Sequence, residues 1–181
     1  MTKGRPSIKL IIGLGNPSEE YQNTYHNIGS VFLDYLKGQL FDQDSDFKSA
    51  ENFLFMENNL GLIISKPKTF MNESGWAVKK ILEYFNTKPE NTIIVHDDSD
   101  IELEKYKIEF DRGSAGHKGI KSIIDSIGSG LFWRIRIGIR EKNEIKRKRA
   151  EEFVLKKIKK IDLEKFANTF KKINGELKKL L

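Results

Sequence analysis

The run IKLIIGLG, Ile8–Gly15, constrains the fold more than any other stretch of this chain. Apolar residues follow one another from Leu10 to Ile12 with no polar alternation, and the run stops at glycines. A strand facing water on one side alternates, whereas a continuous apolar run needs cover on both faces. The segment therefore reads as a central, parallel strand of a sheet layered between helices.

The rest of the chain supplies those layers. HNIGSVFLDYLKGQL places Ile28, Phe32, Tyr35, Leu36 and Leu40 at helical spacing. NFLFMENNLGLIISKP reads as two strands joined around Asn58-Asn59-Leu60-Gly61. TFMNESGWAVKKILEYF puts Ala77, Val78, Ile81, Leu82 and Phe85 on one helical face, with Thr69 or Asn72 as its expected cap. NTIIVHDDSDI is a second buried strand, Thr92–Val95, running into polar residues. A glycine-rich loop, RGSAGHKG, then opens a helix carrying Ile120, Ile123, Ile124 and Ile127, stopped by glycine. In FWRIRIGIR, Ile135, Ile137 and Ile139 face one way, and Arg134, Arg136 and Gly138 the other. The tail from Ile161 to Leu181 is an amphipathic helix with Leu163, Phe166, Phe170, Ile173 and Leu177 on its apolar face and a bend near Gly175.

With 181 residues and neither repeats nor long linkers, the expectation is a single α/β domain over 1–181. Its sheet is mixed but mostly parallel, with helices on both faces, in a phosphorylase/hydrolase-like arrangement. Ligands of such sheets gather outside the carboxyl ends of the strands. The two richest polar clusters, after Gly15 and after Val95, fall there.

Composition removes several chemistries. The chain has no cysteine, which excludes disulfides, thiolate nucleophiles and cysteine-ligated zinc. No apolar run reaches a membrane span, and the N-terminus has no secretory core, so a cytoplasmic protein without membrane contact is expected. The formal charge of +6 permits a polyanionic partner.

Three histidines, His26, His96 and His117, stand on separate elements, and no H-E-x-x-H pair occurs, so no metal site is expected. The serine elbow, the dinucleotide fingerprint and the P-loop are all missing. His96 ends an apolar strand and reads as structural; His117 either contacts ligand or holds its loop. For Asp98 and Asp100 a solvated turn is the expectation. What remains is histidine, aspartate and the amides Asn16 and Asn72. An imidazole oriented by a carboxylate suits a general base acting on water, with amides orienting substrate or an oxyanion.

GLGNPSEEYQNTYHNIG, KPKTFMNESG, VHDDSDI, GSAGHKGIKSI and FWRIRIGI together resemble the bacterial-type peptidyl-tRNA hydrolases, in the order and spacing of that family, from about Lys9 to Leu155. The resemblance implies one peptidyl-tRNA hydrolase-like domain. Its activity would be that of an esterase cleaving the bond between a peptide and the 3′ ribose of tRNA, which recycles tRNA in translation. It implies a monomer with no metal and no cofactor, and peptidyl-tRNA, through its acceptor stem and 3′ end, as partner. By position His26 would be the general base, Asp97 its orienting partner, and Asn16 and Asn72 would align the substrate's peptide end with the water. Tyr21 would lie near the tRNA 3′ end, and Phe70 and Met71 would line the peptide channel. Asn27 and His117 belong to the same substrate-facing set.

Departures from the family pattern are Lys118 where asparagine is usual, Tyr25 where arginine is usual, and Ser18 where glycine is common. A lysine at 118 brings a charge able to attract a phosphate or a developing oxyanion. For RNA phosphates the candidates are Lys105, Lys107, Arg112 and Lys121 around the glycine loop, Arg134 and Arg136 on their strand, and the basic run REKNEIKRKR, Arg140–Arg149. By family position Arg136 would help clamp the tRNA 5′ phosphate. The C-terminal helix, 161–181, is expected to pack on or near the cleft. The alternatives are a catalytically altered RNA-binding relative, and an α/β enzyme acting on a nucleoside or a peptide. The intact set His26, Asp97, Asn16 and Asn72 argues against the first. The lack of an evident phosphate site or metal ligands argues against the second.

Overall fold

The computed structural model describes residues 7–142 and 149–181. Its centre is β1, Leu10–Gly13, fully buried as the apolar run requires. Two strands flank it in parallel: β4, Ile63–Pro67, and β5, Thr92–Glu102. A third parallel pair joins β5 to β7, Trp133–Arg140. The hairpin read around Gly61 forms between β3, Phe53–Glu57, and β4, with Gly61 at φ 76°, a left-handed value that favours glycine. With β2, Lys48–Ser49, and β6, Tyr106–Phe110, at the edges, the seven-stranded order is β2-β3-β4-β1-β5-β7-β6. The three pairings that involve β2, β3 and β6 are antiparallel, which makes the sheet mixed.

Helices cover both faces. On one lie α1, Ile28–Leu40, and α4, Lys160–Leu180, whose Phe32, Leu36, Phe166, Phe170, Ile173 and Leu177 pack against Ile135, Ile137 and Ile139. On the other lie α2, Ser74–Tyr84, and α3, Lys118–Ile127, packing Val78, Ile81, Ile120 and Ile123 against Leu10, Ile12 and Ile94. The period-two reading of β7 thus holds: its isoleucines face one helical layer and its arginines the other. No helix among the described residues is long and apolar enough to cross a membrane.

Several local expectations are corrected. β5 does not end at Val95. It continues through His96, Asp97 and Asp98 because β7 offers backbone partners as far as Gly138, so the polar cluster is strand rather than turn. Neither Thr69 nor Asn72 caps α2. A 3-10 turn, Met71–Glu73, precedes the helix, and Ser74 Oγ donates to the Met71 carbonyl. On α4, Leu163 is exposed rather than on the apolar face.

Candidate active site

The loop after β1 is built by hydrogen bonds rather than by packing. Asn27 brackets Asn16: its Oδ1 accepts from the Asn16 amide at 2.8 Å, and its Nδ2 donates to the Asn16 carbonyl at 2.9 Å. Asn27 is buried and does not line the cleft, so it holds Asn16 rather than meeting substrate directly. Asn16 Oδ1 in turn accepts from the Met71 backbone N–H at 2.8 Å. That bond assigns the amide orientation and leaves Nδ2, a donor, for the cleft.

A 3-10 turn, Tyr25–Asn27, carries His26 into the start of α1. The turn can come this close because Gly29 has no side chain: a Cβ there would lie 2.3 Å from the Val95 carbonyl. His26 Nδ1 lies 2.7 Å from Asp97 Oδ1, and His117 Nε2 lies 3.0 Å from the same oxygen. His117 also caps α3, its Nδ1 accepting from the Ile120 N–H at 3.2 Å. Nδ1 must therefore hold a lone pair, so the His117 proton sits on Nε2 and is donated to Asp97. His26 donates from Nδ1 likewise, leaving Nε2 with a lone pair on the cleft side. His96 is buried behind them, Nδ1 at 2.6 Å from the Asp97 carbonyl oxygen and its ring 4.6 Å from that of His117. It is the structural histidine the sequence suggested.

Burial would raise the Asp97 carboxyl, but the charges and hydrogen bonds of His26 and His117 hold it well below the usual carboxylate range. Burial lowers His26, yet the charge and hydrogen bond of Asp97 outweigh this and raise it above 6.5, with Lys118 opposing. Burial pushes His96 well down, which keeps it neutral.

The three histidines, separate in the sequence, therefore converge. His26, Asp97 and His117 offer one ligand atom each within 4.8 Å, the spacing of a metal triad. Yet each atom is already engaged with another of the set at hydrogen-bond distance. A cation would have to displace both imidazole protons that Asp97 accepts, so the donor set fits a doubly hydrogen-bonded carboxylate better than a metal.

These groups open into a cleft of about 880 Å³ lined also by Tyr21, Phe70, Met71, Asn72 and Lys118. The rings of Tyr21 and Phe70 meet edge to face at 6.4 Å. A family model described as peptidyl-tRNA hydrolase matches residues 10–181. The chain belongs to the peptidyl-tRNA hydrolase family. A peptidyl-tRNA hydrolase crystallised with N-propanol superposes with a TM-score of 0.84 at 27% identity, over 96% of this chain and 88% of that one. The peptidyl-tRNA hydrolase from Acinetobacter baumannii gives 0.82 at 26% identity, over 97% and 93%. An arginine-to-glutamine variant from the same organism gives 0.81 at 29% identity, over 92% and 84%. The chain is thus a hydrolase, and family and fold together support action on peptidyl-tRNA.

The cations expected to meet RNA fare differently from the catalytic set. Arg134 is 1% exposed, and its Nε and Nη1 have no hydrogen-bond partner among the described residues. Arg136 is held by two carboxylates, with Nε 2.7 Å from Asp98 Oδ2 and Nη1 2.6 Å from Glu109 Oε2. Asp98, read as a solvated turn residue, is therefore a buried ion-pair partner. Lys105 pairs with Glu102, Arg112 with Glu109 and Lys121 with Asp125. Lys107 lies exposed on β6 opposite Arg136, outside the cleft. Most of the basic run, residues 143–148, lies outside the described residues.

One wall of the cleft consists of Arg149, the end of the basic run, and of Ala150, Glu151, Val154 and Leu155, which went unread in the sequence. The same segment is tied to the turn that carries His26. Val154 accepts from the His26 N–H at 2.8 Å, Lys156 accepts from the Tyr25 N–H, and Ile158 donates to the Asn23 carbonyl. Helix α4 contributes no cleft residue but anchors the turn from behind, since Tyr25 Oη donates to Asp162 Oδ2 at 2.7 Å.

Proposed function

We propose that the chain hydrolyses the ester joining a peptide to the 3′ ribose of tRNA, with His26 as general base. Nε2 of His26 takes a proton from a water, whose oxygen forms a bond to the ester carbonyl carbon. The developing oxyanion accepts hydrogen bonds from amide donors, with Asn16 Nδ2 and the Asn72 side chain as the groups at hand. As the tetrahedral species collapses, the C–O bond to the ribose breaks, and the protonated His26 returns its proton to the departing 3′ oxygen. Asp97 keeps the imidazole in one tautomer and stabilises its charged form. His117, fixed by its cap, orients Asp97. Tyr21 and Phe70 form an aromatic wall for the tRNA end and the peptide, and Met71 lines the channel floor. No metal or cofactor takes part in these steps.

The observation that carries this reading is the 2.7 Å bond from His26 Nδ1 to Asp97, which leaves Nε2 for the cleft. The pH profile tests it. A base must be neutral to act, so kcat/KM should rise through the His26 pKa, which lies above 6.5. Asp97→Asn removes the charge that raises it, leaving burial and Lys118 to lower it. The acid limb should then move to lower pH while the plateau falls about 100-fold or more. A limb that stays in place, or moves up, would count against His26 as the titrating base.

A further inference from the structure

Lys118 and Glu151 face each other across the cleft. Lys118 is the first residue of α3, and Glu151 sits in a short 3-10 turn, Ala150–Glu152, on the opposite wall. Both line the cleft, and Lys118 Nζ lies 3.6 Å from Glu151 Oε1. Both side chains are about 70% exposed (69% and 72%), so the pair is solvated, long and easily parted. Arg149, the other basic residue lining the cleft, leans back on Glu152, and Arg136 is held by Asp98 and Glu109. Lys118 is thus the cleft cation not held by a neighbour on its own wall, and it directly follows His117, whose Nε2 lies 3.0 Å from Asp97.

We infer that Lys118 and Glu151 form an exchangeable latch that recognises the last phosphodiester of the tRNA. This rests on the hydrolytic reading above. In an ester on a 3′ ribose oxygen, the nearest fixed negative charge is the phosphodiester on the 5′ side of that same ribose. With the ester carbonyl at His26, that anion comes within one nucleotide's length of Lys118. The ammonium leaves Glu151 for the phosphodiester, and the exposed Glu151 carboxylate returns to water. The latch thus selects an acyl group carried on a nucleic acid over a simple ester or a free peptide.

The test measures binding of deacylated tRNA, intact or lacking its 3′-terminal nucleotide, across a salt series. It compares the wild-type protein, Lys118→Met, Glu151→Gln and the double variant. Both positions are exposed, and thermal melts check that each variant folds. Lys118→Met should weaken binding of intact tRNA about fivefold or more and reduce the salt slope by about 0.7, the value for one single-strand phosphate contact. It should leave the trimmed tRNA unaffected. Glu151→Gln should tighten intact tRNA alone and have no effect once Lys118 is methionine. Equal effects on intact and trimmed tRNA, no effect of Lys118→Met, or an effect of Glu151→Gln that persists without Lys118, would overturn the latch. Failure of the wild-type protein to hydrolyse its substrate would instead defeat the hydrolytic reading, which this binding comparison leaves separately decided.

Discussion

Arg136 shows how a single residue changes meaning between sequence and structure. Along the chain it stands as a cation on a strand with Arg134, and a role on phosphate is the natural reading. In the fold it neutralises Asp98 and Glu109, at 2.7 and 2.6 Å, between β5, β6 and β7. Burial lowers its basicity, but the two carboxylates outweigh this and raise it. Removing one member of a partly buried ionic set leaves the others uncompensated, at a cost of up to about 3 kcal/mol, below that of a fully buried pair. Arg136→Met should therefore lower stability by about that order in a denaturant titration, while the salt slope of tRNA binding stays unchanged. A large loss of slope with intact stability would restore the phosphate role. Asp98 was illegible for the same reason. A run such as HDDSD carries no sign that the neighbouring strand will bury it.

At the scale of elements, three contacts hold the site together. The His26 turn, Tyr25–Asn27, is fixed from behind by α4 through Asp162, and beside it by residues 154–158. Across the cleft, α2 and α3 cross where Gly75 meets Ser122, its N–H donating to Ser122 Oγ at 3.0 Å. A Cβ on Gly75 would lie 2.0 Å from the Ser122 carbonyl oxygen. Because the turn before α2 carries Asn72, and His117 caps the start of α3, this crossing sets the width of the site. Gly75→Ala should destabilise the protein by about 1–3 kcal/mol, seen as a lower melting temperature, and should also reduce kcat. An unchanged melting temperature would show that the helices separate freely. The helices themselves were legible because their apolar periods are long. The 3-10 turn before α2 was not, since a cap and a tight turn use the same small polar residues.

On the scale of the whole molecule, the mixed sheet and both helical layers follow from patterns the sequence carries openly: one continuous apolar strand, one alternating strand and amphipathic helices; the strand order and the edge strands β2 and β6 do not. The polar clusters at strand ends pointed to the correct side of the sheet, and His26, Asp97, Asn16, Tyr21, Phe70, Met71, Asn72, His117 and Lys118 all line the resulting cleft. The wall from Ala150 to Leu155 was hidden because it has no period of its own. Its place is set by backbone bonds to Asn23–His26, more than 100 residues earlier in the chain. What unites the two halves chemically is the Asp97 carboxylate, which accepts a hydrogen bond from each of two imidazoles and leaves Nε2 of His26 without a partner in that pair. The most direct measurement is hydrolysis of an N-blocked aminoacyl-tRNA by the purified protein and by His26→Ala, each with a chelator present. The account predicts full activity for the wild type and a loss of about 100-fold or more for His26→Ala. Activity retained without His26, or abolished by the chelator, would contradict it.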